Sequence, residues 1–139
     1  MMGKELANEI IDRLVTIKIN ASVLEKEEAL EDYLYTFLSP LVQKYNKTIK
    51  CQPKTYKERV QKPDISIGLG EILIEIKILD NIDGLYRIFY QVVKYIKIAK
   101  DILILFIIDR NDILKDDDTD DLLSLVKKPK TLKIIRRRQ

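Results

Sequence analysis

Histidine and tryptophan are absent from all 139 residues, and cysteine occurs once, as Cys51. Each gap removes a class of chemistry. Without histidine there is no Ser-His-Asp or Cys-His relay and no imidazole-rich zinc site. A lone thiol forms no internal disulfide and holds no thiolate metal cluster, so redox and iron–sulfur roles lack ligands. Any metal chemistry has to use oxygen donors, which favours Mg2+ or Mn2+. Long apolar runs are missing too. The longest, "ILILFII" at 102–108, falls far short of the roughly 20 residues that span a bilayer, and "MMGKELANEI" lacks the apolar centre of a secretory signal. The expectation is a soluble, intracellular (cytoplasmic) protein without a membrane partner. Its abundant isoleucine and lysine hint at an AT-rich genome of archaeal or viral origin.

What is present suits one globular domain over residues 1–139, with 46% hydrophobic and 34% charged residues. A net charge of +3 is mildly basic and does not by itself diagnose nucleic-acid binding. Its distribution says more. The run "KDDDTDD" (115–121) reads as a solvated loop or a helix start. Arg136, Arg137 and Arg138 serve either solubility or contact with a polyanion.

Helical spacing of Leu6, Ile10, Leu14 and Ile17 predicts a first amphipathic helix over 4–19. Ser22 is then a candidate N-cap for a second helix, bent or restarted near Pro40. Residues 47–60 alternate loosely and suggest a strand or two. "DISIG" and "EILIEIKI" have the period of strands, "DNIDG" turns into a helix over 82–99, and 101–109 reads as a buried strand. A short helix around 120–127, a break at Pro129 and an edge strand "TLKIIRR" complete the order. A hairpin followed by a crossover helix and a buried strand implies an α/β architecture: a mixed β-sheet flanked by α-helices.

The hairpin "KPDISIGLGEILIEIKI" (62–78) carries charges that a purely structural hairpin does not need. Alternation sets Ile72, Ile74, Ile76 and Ile78 on one face and Glu71, Leu73, Glu75 and Lys77 on the other. With the turn at Leu69-Gly70, or the four residues around it, cross-strand partners sum to 139 and Asp64 stands opposite Glu75. Like charges there, with Cβ atoms roughly 5 Å apart, repel. Either Lys77 or a divalent cation relieves them, the cation bound by Asp64, Glu75 and the Ile76 carbonyl; a solvent-facing Glu/Lys salt bridge is the plainer alternative.

"PD" at 63–64, ten intervening residues and "EIK" at 75–77 within a hydrophobic strand resemble the PD-(D/E)xK nuclease motif. The resemblance implies a restriction-endonuclease-like fold, with Asp64 and Glu75 as metal ligands and Lys77 as the catalytic lysine. Members often carry an acidic residue on a helix before the hairpin. Helical phase puts Glu31 at the edge of the Leu30, Leu34, Phe37, Leu38 and Leu41 face and turns Asp32 away, so Glu31 is the first choice and Glu27 or Glu28 the reserve. In "DGLYRIFYQVVKYIKIAK" the apolar face is Ile82, Leu85, Ile88, Phe89, Val92, Val93 and Ile96. Arg87, Gln91 and Tyr95 form an adjoining polar stripe. Gln91 and Tyr95 match the QxxxY motif of the RecB-like branch, whose helix borders the active site. The chain departs from that branch in having neither an upstream histidine nor a cysteine cluster, and residues from Asn111 onward carry none of the resemblance.

The function expected from these residues is a Mg2+-dependent (or Mn2+-dependent) DNA nuclease that hydrolyses phosphodiesters. Lys77 acts on the attacking water or the developing charge, and Arg59, Lys62, Arg87 and Lys94 position the DNA backbone. Two alternatives stand beside it. One is an archaeal-type Holliday-junction resolvase, which implies a homodimer; the other is a non-catalytic nuclease-fold DNA-binding or scaffold module.

Overall fold

The computed structural model describes residues 2–51 and 63–138. Along the chain it has α1 (Met2–Thr16), a 3-10 turn (Ala21–Glu25), α2 (Glu27–Lys44), β1 (Ile49–Cys51), β2 (Ile65–Ile67) and β3 (Ile72–Ile78). Then come α3 (Ile82–Ile96), β4 (Ile102–Ile108), α4 (Asp116–Ser124) and β5 (Thr131–Arg137). The strands form one mixed sheet in the order β1-β2-β3-β4-β5. The first three are antiparallel neighbours, whereas β3, β4 and β5 run parallel. A tight turn can only reverse the chain, while each parallel junction needs a longer crossover, here supplied by α3 and by α4.

Both faces of the sheet are covered. Ile65, Ile67, Ile72, Ile74, Ile76, Ile104, Phe106 and Ile108 pack with the apolar sides of α1 and α2. On the other side Leu73, Leu103, Leu105 and Ile107 pack with α3 and with Leu122 of α4. Burial on two faces explains the unbroken apolar run of β4. No helix among the described residues is long and apolar enough to cross a membrane.

The sheet and its helices follow the sequence pattern, with several shifts. α1 ends at Thr16 rather than at residue 19, although Ile17 remains buried. Ser22 lies inside the 3-10 turn and Lys26 occupies the N-cap of α2, so Ser22 does not cap that helix. α2 continues through Pro40 without a break. Both Pro40 and Thr36, whose carbonyl loses the proline's missing N–H, are exposed, so water can take the orphaned acceptor. α3 stops at Ile96. Its buried residues are Leu85, Ile88, Val92 and Tyr95, while Ile82 and Val93 face solvent. The aspartate run forms the first turn of α4, where carboxylates favour the positive end of the helix, so α4 lies a few residues earlier than its expected place at 120–127. Of the expected strands within 47–60, β1 is described and the remainder lies outside the described residues.

The three arginines are held within the fold. Arg136 donates to Asp109 Oδ2 at 3.1 Å and to Asp112 Oδ1 at 2.9 Å, and Arg138 donates to the same Asp112 oxygen at 2.9 Å. Arg137 donates to the Leu14 carbonyl at 3.2 Å and to the Ile17 carbonyl, and burial lowers its pKa. Arg137 is thereby committed to the end of α1, whereas Arg138 keeps most of its side chain in solvent.

Candidate active site at the end of the hairpin

The hairpin turn is the four-residue version, Gly68 to Glu71, joining Ile67 to Ile72. Gly68 and Gly70 have φ of 68° and 83°, a region that L side chains resist. The resulting register is Ile65 with Ile74, Ser66 with Leu73 and Ile67 with Ile72, and one step further it sets Asp64 opposite Glu75.

Past Ile65 the β2 ladder stops, and side chains take over from backbone. Asp64 Oδ2 accepts the Ile76 N–H at 2.7 Å. Glu27, in the first turn of α2, accepts the next N–H on that edge, from Ile78, at 2.8 Å. In a strand a residue's N–H and C=O share an edge, so the Ile76 carbonyl also opens toward Asp64. Lys77 Nζ lies 3.8 Å from Glu27 Oε1.

Glu31 and Glu75 are each only 3% exposed, the burial anticipated for a carboxylate at the core rim. Glu31 hydrogen-bonds with Asp64, which also hydrogen-bonds with Glu75. Burial is the main reason the Asp64 carboxyl titrates well above its ordinary range; the bond to Glu75 and the charge of Glu75 add to it, while the Ile76 N–H and Glu31 pull the other way. Burial raises Glu75 as well, against the opposing effects of Asp64 and Lys77, with Glu27 and Glu31 pushing further upward. Both carboxyls are raised and hydrogen-bonded to each other, an arrangement that favours a proton held between them.

α3 supplies the other wall. Tyr95 is buried, and its phenol is pushed up first by burial and then by the charges of Glu75 and Asp64. One turn earlier, the Gln91 Oε1 is buried with no hydrogen-bond partner among the described residues, which normally costs about 1–3 kcal/mol. Arg87 is exposed and lines a cleft of about 330 Å³ with Glu25, Glu27, Lys77, Asn81 and Gly84 at the carboxyl end of β3. Asn81 caps α3 by accepting the Gly84 N–H at 3.0 Å.

Asp64, Glu75, Lys77, Glu31 and Tyr95 are therefore neighbours around one end of the sheet, and Gln91 lies one turn of α3 from Tyr95. Glu28 and Asp32 are exposed, and Arg59 and Lys62 lie outside the described residues. Glu27, only a reserve in the sequence, enters through a backbone contact. Its signal was the one-turn spacing from Glu31. The donors are all oxygen, as a hard cation requires. Their arrangement is one of shared protons and backbone caps: among the described residues no three acidic side chains are grouped as a ready-made ion cage. Compared with models of protein families, with curated proteins and with solved structures, the chain matches none. Fold and site together define a mixed α/β protein with a hydrogen-bonded carboxyl pair, one member buried and one half-buried, beside a lysine.

Proposed function

We propose that the protein is a metal-dependent DNA nuclease of the PD-(D/E)xK type, its α/β architecture being of the restriction-endonuclease-like kind. The observation that carries this reading is half-buried Asp64 hydrogen-bonded beside buried Glu75, both with raised carboxyl pKa values, and Lys77 following on the same strand face. Buried like charges call for a proton or a cation. Mg2+ or Mn2+ taken by Asp64, Glu75 and the Ile76 carbonyl, with Glu31 beside them, would supply Lewis acidity and charge neutralisation at the scissile phosphate. The Lys77 ammonium holds the attacking water or stabilises the charge that builds on the phosphate oxygens.

A panel of labelled single-stranded, duplex and four-way-junction DNAs, incubated with Mg2+ or Mn2+, tests the reading. Wild-type protein cleaves at least one of them, chelation stops cleavage, and Lys77→Ala lowers the rate by about 10²–10³-fold while its melting curve is unchanged. Equal cleavage by Lys77→Ala would sink the mechanism. Preference for the junction, by a dimer, would single out the resolvase form.

The backbone contacts of Asp64 and Glu27 favour a second reading, a nuclease-like binding or scaffold module in which the carboxylates serve to cap the edge of β3. Calorimetry separates the two: no heat with millimolar Mg2+ or Mn2+, with or without DNA, supports the scaffold.

A further inference from the structure

The outer face of α3 carries more aromatic surface than a solvent face needs. Tyr86 is 64% exposed and Tyr90 69%, and Ile82 and Val93 extend the same stripe. At ~100° per residue, the order around the helix is informative. Starting from Tyr95 and Gln91 at the candidate site, the surface passes Arg87 and Lys94, then Asp83 in the first turn, Tyr90, Lys97 and Tyr86, and ends at Val93 and Ile82. Arg87 and Lys94, with one acid beside them, thus lie between the carboxylate site and the tyrosines, and Lys97 lies between the two rings. The Lys94 ammonium sits 5.7 Å over the Tyr95 ring, which ties the basic strip to the wall of the site.

This combination points to one kind of occupant. Aromatic rings beside cations suit a flexible polyanion whose bases can stack while its phosphates meet lysine and arginine. Tyr86 and Tyr90 are one helical turn, about 6 Å, apart along the axis. Phosphates along one duplex strand recur every ~3.4 Å. Successive bases can reach both rings only when pulled out of a stack, which a duplex resists and a single strand allows. Two copies of this face would bring Arg87, Lys94 and Lys97 against their equals, so charge disfavours self-association here.

We propose that the exposed face of α3 is a docking track for single-stranded DNA, with bases stacked on Tyr86 and Tyr90 and phosphates on Arg87, Lys94 and Lys97, leading the strand to the Asp64/Glu75 site. The choice of DNA rests on the nuclease reading; the single-stranded form rests on the tyrosines.

Binding is measured on the full chain in a chelating buffer, by anisotropy of a labelled oligothymidylate, so that it is independent of cleavage. Tyr86→Ala/Tyr90→Ala weakens binding by roughly tenfold or more. Tyr86→Phe/Tyr90→Phe, which keeps the rings, stays within about twofold, and a matched duplex competes poorly. Where the alanine pair melts early, Tyr86→Leu/Tyr90→Leu replaces it. Unchanged affinity after loss of both rings overturns the track. So does a preference for duplex, or a change from dimer to monomer in light scattering, which would make the stripe a contact between copies. The two proposals fail separately. Tyrosine-dependent binding with no metal-dependent cleavage of any DNA removes the nuclease and leaves the track. Lys77-dependent cleavage with tyrosine-independent binding does the reverse.

Discussion

Asp64 has two tasks that pull against each other. Its Oδ2 holds the Ile76 N–H, which favours the carboxylate, yet burial beside Glu75 favours the protonated acid, and burial dominates. The sign for stability follows. A carboxyl whose pKa is raised by folding binds more protons folded than unfolded, so its contribution weakens as pH rises from the ordinary carboxylate range through the raised folded value. In chelator, the protein should melt at a lower temperature near pH 8 than near pH 5, and Asp64→Asn should reduce that difference. Asparagine can still accept from Ile76 and donate to Glu75, so at neutral pH this variant should be more stable by on the order of 1 kcal/mol, a few degrees in Tm. Calorimetric melting across pH checks both; a wild-type Tm that climbs from pH 5 to 8 would contradict the assignment. The facing of Asp64 and Glu75 was legible because a four-residue turn and alternating isoleucines leave one register. The proton they share was not, since it depends on how deeply α2 and α3 bury them.

α3 and β5 show where element-level reading succeeds and where it slips. Periodicity located α3, but the division of its faces was off by one step. Tyr95 has an apolar body that the core accepts, whereas Val93 lies on the far side of the helix, and hydropathy alone ranks them the other way. β5 was legible as an edge strand, but the role of its arginines was not. The carbonyls that Arg137 reaches, on Leu14 and Ile17, are distant in sequence and belong to the carboxyl end of α1, where a cation is favoured. Arg137→Ala should therefore cost about 1.5–3 kcal/mol in denaturant unfolding, with Lys recovering only part because one ammonium does not span two acceptors as a guanidinium fork does. A loss below about 0.5 kcal/mol would show that the clamp contributes little.

For the molecule as a whole, the three-layer arrangement was legible from the alternation of helix and strand patterns. The Arg137 clamp bears on how the protein is made. It joins residues 123 apart in the chain, and β5 covers the open edge of β4. Contacts of such long span close late and at a large entropic cost. During synthesis, α1 leaves the ribosome before β5 and must wait for the elements between them before its carboxyl end is secured. Nascent chains arrested before Thr131 should thus be cut readily by protease near residues 14–17, and become resistant once 131–137 have emerged. Vectorial translation holds α1 hostage to β5, which makes the ribosome exit tunnel part of this fold's assembly.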